Sequence, residues 1–306
     1  MKNSLSFLLV APDAVRRGWM GWILAGVVAR TGLDLAWAGI FDASPVAGEL
    51  GAKAAAGSWG VLIFRGDDAV AKMSAAVDTA GEPGTLVGML GDGIVVAPKA
   101  GSDVPALLAK LAAAQAADES LLSLPVADGA ERSLVLVKPD NFQFPGIRPG
   151  AIIDVLARTG LPLIAMKVHH MSVAQGMEFY GPVLDVLTEK FGSEPGRDHW
   201  EKIVEFMSGS KPSGVPVAQH GKPGTAKILA LVYEGPGAVG KIRAVLGPTD
   251  PAKAPPGTIR KEFGSNIMVN AAHASDSPEN ARREIGIVQV VDNSLKGFVE
   301  STASAA

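Results

Sequence analysis

The chain carries two copies of one ordered set of segments, and this duplication constrains its fold more than any other feature. The segment S-F-L-L-V-A-P-D at residues 6–13 matches S-L-V-L-V-K-P-D at 133–140, and A-R-T-G-L-D-L at 29–35 matches A-R-T-G-L-P-L at 157–163. Three further pairs follow in the same order: residues 60–72 with 230–241, 83–87 with 256–260, and 100–103 with 273–276. Ordered self-similarity of this kind is the signature of a repeated structural unit. The sequence therefore predicts two tandem domains of one fold.

Length and composition agree with two folded domains and exclude several classes of site. A chain of 306 residues suffices for two domains of ordinary size. Hydrophobic residues make up 47% and charged residues 19%, so the chain can bury cores and does not belong to the disordered class. A net charge of −3 without a basic stripe argues against a nucleic-acid partner. Because the chain has no cysteine, disulfides, thiolate metal sites and cysteine nucleophiles are excluded.

The apolar stretches near the N-terminus are not typical of a signal peptide or a membrane anchor. Residues 5–11 are apolar, but Pro12 and Asp13 follow at once, which favours a first β-strand. Residues 19–28 are fewer than the roughly twenty apolar residues that span a bilayer. We therefore predict a cytoplasmic protein without a membrane partner.

One histidine, His273, lies in a run of small polar residues that reads N-A-A-H-A-S-D-S at 270–277. Cationic and hydroxyl side chains that could converge on it lie upstream: Lys138, Arg243, Thr249 and Arg260. A neutral imidazole can act as a nucleophile near pH 7 without prior deprotonation, and guanidinium and ammonium groups suit phosphate oxygens. The pattern indicates phosphoryl transfer through a phosphohistidine.

A longer ordered set of motifs surrounds these residues. The motifs are E-R-S-L-V-L-V-K-P-D at 131–140, A-M-K at 165–167, F-M-S-G at 206–209, L-V-Y-E-G at 231–235, R-A-V-L-G-P-T-D-P at 243–251, P-G-T-I-R at 256–260, N-A-A-H-A-S-D-S at 270–277 and R-E-I-G at 283–286. With them, the second half of the chain resembles the nucleoside diphosphate kinases. Periodicity alone supports only an α/β or α+β class. The resemblance implies two tandem ferredoxin-like α/β sandwich domains, each with a four-stranded antiparallel sheet.

The resemblance also implies which groups carry the chemistry. His273 would take the γ-phosphoryl group of a nucleoside triphosphate and pass it to a nucleoside diphosphate in a ping-pong cycle. Glu284 would hold the other ring nitrogen, with Ser275 steadying Glu284. Taken alone, Glu284 fits a solvated helix face equally well. Tyr180 matches the tyrosine that the family places near the nucleophile.

The same resemblance implies a nucleotide site around the histidine. Arg243 and Arg260 would bind phosphate oxygens, and Thr249 would add a hydroxyl donor. Lys138 and Asn270 would lie by the ribose hydroxyl and the terminal phosphate. These five groups match the family residue by residue.

The base would stack on an aromatic side chain, and the spacing leaves His199 and Trp200 as alternatives. Ile267 would form the apolar wall opposite. An aromatic residue on an amphipathic helix is more often a core residue than a platform for a base. Mg²⁺ is expected to arrive with the nucleotide phosphates, because the sequence offers no clustered carboxylates for a protein cage.

The first copy lacks the polar residues that mark the second. The repeat aligns each of these polar residues with a small or apolar residue of the first copy. The aligned pairs are Lys138 with Ala11, Arg243 with Ser74, Arg260 with Val87, Asn270 with Ala97, and His273 with Ala100. Residues 1–117 are therefore predicted to form a degenerate, inactive domain that ends in a helix at 107–117. Residues 118–130 would be a linker, and residues 131–306 an active domain.

The second copy also contains a segment that the first copy lacks. Between residues 40 and 60 the first copy has little besides alanine, glycine and proline, whereas the second has helix-spaced aromatic residues: Tyr180, His199, Trp200 and Phe206. In the family this region is a helical hairpin that covers the base. Two apparent insertions, near 191–197 and 210–226, are rich in glycine, proline and serine and are predicted to be loops.

The expected partners are nucleoside tri- and diphosphates and further copies of the chain. Family members assemble from dimers, so a fused pair could replace one dimer and three chains would form a pseudo-hexamer. A non-catalytic nucleotide-binding or scaffolding protein is the alternative from another class. The complete set of candidate site residues in the second copy argues against it.

Overall fold

The computed structural model of the protein describes residues 3–53, 55–78 and 80–303. The first half contains β1 (Asn3–Val10), α1 (Pro12–Arg16), α2 (Met20–Thr31), β2 (Asp34–Phe41), α3 (Ser44–Glu49), β3 (Trp59–Asp67), α4 (Ala69–Val77), α5 (Leu86–Leu90), β4 (Val95–Val96) and α6 (Val104–Ala117). The second half contains β5 (Glu131–Val137), α7 (Arg148–Ala157), β6 (Leu163–His169), α8 (Val173–Phe179), α9 (Gly181–Phe191), α10 (Ser193–Ser208), β7 (Ile228–Gly235), α11 (Ala238–Leu246), α12 (Ile259–Phe263), β8 (Ala272–Ala274), α13 (Pro278–Val288) and α14 (Leu295–Ala303). Among the helices in these ranges, none combines the length and the apolarity needed to cross a membrane.

Within the described ranges the strands form two four-stranded sheets of the same topology. The first sheet has the order β2-β3-β1-β4 and the second the order β6-β7-β5-β8. All neighbouring strands are antiparallel. The first strand of each copy is thus central and the second lies at an edge, as in a ferredoxin-like sandwich. The predicted fold class is confirmed.

The central strands read as unbroken apolar runs because both of their faces are buried. In β1, Leu8 and Val10 point into one core while Phe7 and Leu9 point into another. Each sheet is therefore the middle layer between two sets of helices.

The repeated A-R-T-G-L motif ends the helix before the second strand in both copies. Thr31 and Thr159 each donate a hydrogen bond to a carbonyl of the preceding helical turn, and each accepts one from the amide two residues later. Gly32 and Gly160 follow with φ of 63° and 67°, in the left-handed region where glycine carries no steric penalty. The motif is a helix stop, which is why it survives in both copies.

The two copies share one core because α2 packs directly on α7. A Cβ atom added to Gly21 would lie 2.5 Å from the carbonyl oxygen of Gly150, and one added to Gly150 would lie 2.5 Å from the carbonyl oxygen of Gly21. The helix backbones therefore touch. Around this contact, side chains such as Leu24 from α2 and Ile153 from α7 belong to a single continuous hydrophobic cluster.

The outer faces of the two sheets are covered differently. Helices α8, α10 and α13 supply buried residues on the second sheet, including Phe179 and Val204. On the first sheet the corresponding cluster takes residues from α3 and α6, together with Leu295 of α14, whose Phe298 and Val299 also pack there. Helix α14, the last helix in the described ranges, therefore lies on the first sheet. The predicted division into residues 1–117, 118–130 and 131–306 stays a prediction.

The prediction of a loop at residues 191–197 is wrong for most of that range. Gly192, with φ of 87°, interrupts the hairpin for one residue, and α10 starts at Ser193. Pro195 is tolerated there because the amides of the first helical turn need no partner within the helix. The second insertion, at 210–226, consists of loops with two short 3-10 turns at Pro212–Gly214 and Val217–Gln219.

Strand register also corrects one alignment between the copies. Leu136 of β5 pairs with His273, whereas Leu9, the matching residue of β1, pairs with Val96. Val96 is therefore the structural counterpart of His273, and the predicted match to Ala100 is wrong. The same register moves the counterpart of Asn270 from Ala97 to Gly93. Sequence matching failed because the loop before β4 differs in length, while the first copy has no imidazole under either alignment.

Replacing Gly150 with alanine should destabilise the protein by about 1–3 kcal/mol, because the new methyl group would have to displace backbone atoms of α2. Gly240→Ala in α11 is the matched control, since its Cβ would meet nothing within 4 Å. Alanine at that exposed helical position should be neutral or stabilise by up to about 1 kcal/mol. Urea unfolding followed by circular dichroism measures both, and an unchanged midpoint for Gly150→Ala would contradict close backbone contact.

Candidate functional site

His273 lies in the middle of β8, at the edge of the second sheet, and its side chain is 23% exposed. The ring packs edge-on against two aromatic rings that follow each other at the end of α8. Its centroid lies 5.0 Å from that of Phe179 and 6.4 Å from that of Tyr180. Because β8 is hydrogen-bonded to the buried strand β5, the position of the imidazole is fixed by the sheet.

One nitrogen of the His273 ring is tied to a buried carboxylate. Nε2 lies 3.1 Å from Oε2 of Glu284, and the hydroxyl of Ser275 donates a 2.6 Å hydrogen bond to the same oxygen. Ser275 in turn accepts a bond from the amide of Leu134, which fixes its hydroxyl. With Nε2 as the donor to Glu284, the tautomer leaves the lone pair on Nδ1. The structure thus brings His273, Glu284 and Ser275 together, and Glu284 is buried rather than part of a solvated helix face.

Lys138 and Asn270 form a second buried pair at the end of β5. The Lys138 ammonium donates to Oδ1 of Asn270 at 2.7 Å and to the carbonyl of Met268 at 3.1 Å. The Asn270 amide donates to the carbonyls of Thr249 and Ile267. Burial lowers the pKa of Lys138 to about 8, with a further lowering from Arg260, while Asp140 raises it.

The chain between Asn270 and His273 passes through a left-handed residue. Ala271 has φ of 69°, a conformation that is uncommon for residues other than glycine. Its carbonyl accepts hydrogen bonds from the Lys138 amide and from the side chain of Asn141, both at 2.9 Å. These bonds stabilise the strained backbone at Ala271. Because Ala271 lies between Asn270 and His273, they also help to fix the positions of those two residues.

Arg260 and Arg243 lie near enough for their charges to interact, and among the described residues Arg260 forms no ion pair with a carboxylate. Arg260 donates to the carbonyls of Gly247 and Ala272, so its hydrogen-bond partners are neutral oxygens. Burial lowers the pKa of Arg260 to about 10, and the charge of Arg243 lowers it further. Arg243 and Thr249 are exposed. Repulsion between two guanidinium groups is relieved by an anion, so this part of the site suits phosphate oxygens.

Tyr180 is buried, and its hydroxyl has no hydrogen-bond partner among the described residues. Burial raises the pKa of its phenol, and the charge of Glu284 raises it further, whereas Arg260 lowers it. The hydroxyl therefore lies within electrostatic reach of both the carboxylate and the guanidinium. A buried donor without a partner is unfavourable unless a ligand or water satisfies it.

Of the two alternatives for the aromatic side chain that stacks on the base, the prediction of Trp200 is wrong. Its side chain is 5% exposed and its indole N–H donates to the carbonyl of Tyr180 at 2.9 Å, so it is a core residue of the hairpin. His199 is exposed and packs edge-on against Phe191, with ring centroids 4.9 Å apart. Ile267, the predicted opposite wall, is 63% exposed. His199 and Ile267 thus remain available to a ligand.

Sequence reasoning missed Phe206 as a neighbour of the site. Its ring centroid lies 5.6 Å from the Lys138 ammonium, within the range of a cation–π interaction. Phe206 looked like one more apolar residue of an amphipathic helix, because only the docking of α10 on the end of β5 brings it to Lys138. Arg283 was missed for a similar reason: it donates to the carbonyls of Glu178 and Phe179 and so joins α13 to α8.

The assembled groups can bind a polyanion and attack it. An ammonium and two guanidinium groups lie beside the imidazole. A carboxylate holds one nitrogen of the ring and leaves the lone pair on the other nitrogen free. This arrangement is expected for nucleophilic attack on a phosphoryl group. In the part of the chain that the structure describes, no three histidine, aspartate or glutamate side chains cluster as a metal site would require.

Comparison with known proteins places these residues in a family. The family model described as nucleoside diphosphate kinase matches residues 131–291. A nucleoside diphosphate kinase of Anaeromyxobacter sp. (strain Fw109-5) is 38% identical over 158 residues, which cover 51% of this chain and 86% of that protein. One of Symbiobacterium thermophilum is 35% identical over 155 residues, covering 51% of this chain and 84% of that protein. A crystal structure of the Aquifex aeolicus nucleoside diphosphate kinase is 30% identical and covers 52% of this chain and 94% of its own, with a TM-score of 0.39.

The charges around Lys138 predict that two substitutions will shift its pKa in opposite directions. Asp140→Asn removes a charge that raises the pKa of Lys138, so its titration midpoint should fall below about 8. Arg260→Gln removes a charge that lowers this pKa, so the midpoint should rise. The ¹³Cε shift of labelled Lys138 followed against pH measures both. Movement in the same direction would mean that rearrangement, rather than charge, dominates.

Proposed function

Because the chain belongs to the nucleoside diphosphate kinase family, we propose that its second copy moves the γ-phosphoryl group of a nucleoside triphosphate to a nucleoside diphosphate through a phosphohistidine at His273. The observation that carries the proposal is the hydrogen bond between Nε2 of His273 and Glu284, which leaves Nδ1 as the nucleophilic atom. Ser275 supports it by fixing the carboxylate.

In the first half-reaction Nδ1 attacks the γ-phosphorus, and the bond from that phosphorus to the bridging oxygen breaks. The nucleoside diphosphate leaves with the bonding electron pair. The ring then carries a phosphoryl group on Nδ1 and a proton on Nε2, and its positive charge is balanced by Glu284. In the second half-reaction a terminal oxygen of another nucleoside diphosphate attacks the phosphoryl group, and the electron pair returns to Nδ1. No proton has to leave the imidazole in either direction.

The cations would act on the charge of the transferring group. Arg243 and Arg260 would hold phosphoryl oxygens, and Thr249 would add a hydroxyl. Lys138, held by Asn270, would contact the terminal phosphate and the ribose. The buried hydroxyl of Tyr180 would gain a partner when the site is filled. The side chains of Lys138 and Arg260 donate their hydrogen bonds to neutral oxygens, and Arg243 is exposed, so these three cations would be available to the nucleotide.

The nucleotide would enter as its Mg²⁺ complex, which we treat as the substrate. A divalent ion carried by phosphate oxygens needs no cluster of protein carboxylates. The base would rest between His199 and Ile267. We propose that the first copy, which has Val96 in the place of the histidine, contributes structure rather than chemistry.

The shared core of the two copies supports a further part of the proposal. Fusion would make each chain the equivalent of one dimer, so that three chains could assemble into a pseudo-hexamer. The contact of α2 with α7 is the feature that supports this, because it already joins the two copies through one core.

Mixing the protein with Mg-ATP should add one acid-labile phosphoryl group, and a second nucleoside diphosphate should remove it. His273→Asn should abolish the gain. His220→Asn is the matched control, because His220 bonds to the carbonyl of Val215 in a loop and should leave the gain unchanged. Intact-mass spectrometry gives the readout. Nucleotide binding without phosphoryl gain would favour the non-catalytic scaffold, and a gain that survives in His273→Asn would identify a different nucleophile.

Arg243→Gln should lower kcat by about 10²-fold, because a preorganised charge at the transferring phosphoryl group would be lost. Arg243 makes its contribution from an exposed position on α11, so the fold should be unaffected. Lys241→Gln, two residues earlier on the same helix and also exposed, should change kcat less than about twofold. Steady-state kinetics separates the two, and equal losses would indicate a general effect of surface charge.

A further inference from the structure

The segment that follows α13 joins the two domains, and we call residues 289–303 the C-terminal clasp. Its Asn293 donates one amide hydrogen bond to the carbonyl of Ala38 in β2 at 2.7 Å and another to the carbonyl of Met166 in β6 at 2.9 Å. A single side chain thus bridges the facing edge strands of the two sheets. Strands β2 and β6 contact each other but belong to separate sheets.

The first domain holds the C-terminal clasp through Gln115 of α6. The Gln115 amide nitrogen donates to the carbonyl of Asn293 at 2.8 Å, and its oxygen accepts from the amide of Leu295 at 2.7 Å. Leu295 is fully buried in the outer core of the first sheet. The reciprocal pair of bonds fixes both the position and the direction of the backbone at the start of α14.

The other end of the C-terminal clasp is continuous with the end of α13. Lys167 donates to the carbonyls of Val288 and Gln289 at 3.1 and 2.7 Å, and Gln175 donates to the carbonyl of Ile287 at 2.7 Å. These are carbonyls that a helix leaves without partners at its C-terminus. The end of α13 is therefore anchored on β6 and α8, and the chain enters the clasp directly from that anchor.

Helix α13 carries Glu284, four residues before its end at Val288. A shift of the helix end would move the carboxylate relative to His273, which is fixed separately on β8. The 3.1 Å bond from Nε2 to Glu284 has little tolerance, because hydrogen bonds weaken steeply as distance and angle depart from their optimum.

We propose that the first domain positions Glu284 through the C-terminal clasp, so that Gln115 and Asn293 are positioning residues for His273. This inference rests on the proposed function and assigns a task to the copy that has no nucleophile. The connection is physical and continuous, from Gln115 to Asn293, through the backbone to the end of α13, and along α13 to Glu284. Such a connection predicts a measurable coupling free energy between Gln115 and Glu284.

A double-mutant cycle provides that measurement. Gln115→Ala and Asn293→Ala should each slow formation of the phosphohistidine by about 3- to 10-fold. In a Glu284→Gln background the same substitutions should cause no further loss, because the group that they position is already impaired. If Gln115→Ala or Asn293→Ala slows phosphohistidine formation by the same factor in the Glu284→Gln protein as in the wild type, the proposal is overturned.

Asp34→Asn is the matched control for domain docking. Asp34 forms an ion pair with Lys227 across the domain boundary, with Nζ 2.5 Å from Oδ1, and its contacts among the described residues do not include the C-terminal clasp. It should change the rate less than about twofold. A loss as large as that of Gln115→Ala would mean that docking in general, and not the clasp, sets the rate, and would also overturn the proposal.

A readout that does not need activity separates this inference from the proposed function. Long-range ¹H–¹⁵N NMR reports the tautomer of His273, and Gln115→Ala should lower the fraction with the proton on Nε2 while Asp34→Asn should not. If the wild-type protein shows no phosphoryl transfer but the tautomer shifts, the proposed function fails and the clasp stands. If transfer is seen but neither rate nor tautomer responds to Gln115→Ala, the clasp fails and the function stands.

Discussion

The contact between Gly21 on α2 and Gly150 on α7 is the constraint on which the rest of the molecule depends. At that distance the helices meet backbone to backbone, and the side chains around them merge into one core. Neither copy buries its inner helices alone. The second sheet, which carries the candidate site, is therefore held in place by a partner domain within the same chain, and the arrangement does not depend on protein concentration in the way that a separate subunit would.

The candidate site concentrates positive charge where the fold alone gains nothing from it. Lys138 and Arg260 are largely withdrawn from water and are bonded to carbonyl and amide oxygens, and burial lowers the pKa of each. Desolvating a cation is unfavourable, and for Lys138 the charge of Asp140 offsets this cost only in part. The Tyr180 hydroxyl, which has no hydrogen-bond partner among the described residues, and the left-handed Ala271 lie in the same site. Under the proposed function a bound nucleotide would offset these costs.

Much of the fold and several contacts within the candidate site could be predicted from the sequence, and the reasons for the failures are physical. The repeat predicts two domains of the same fold. The threonine and glycine of A-R-T-G-L end a helix through contacts with residues near in sequence, so this motif indicates a helix end without knowledge of the tertiary structure. Ordered motifs likewise placed Glu284 and Ser275 at His273. The pairing of Val96 with Leu9 could not be read from sequence, because a loop of different length shifts the match. The helical start at Ser193 and the core position of Trp200 depend on how α9 and α10 pack, and Phe206 meets Lys138 only in the folded hairpin.

The position of α14 has a consequence for the order in which the protein can be completed during synthesis. Domains generally begin to fold from the N-terminus as the chain is made. Here the outer face of the first sheet includes Leu295, so its apolar surface stays partly open until α14 has been translated. The first sheet is thus completed by a helix that follows the second sheet in the chain, and a ribosome that stops before α14 would release a first domain whose outer core is exposed.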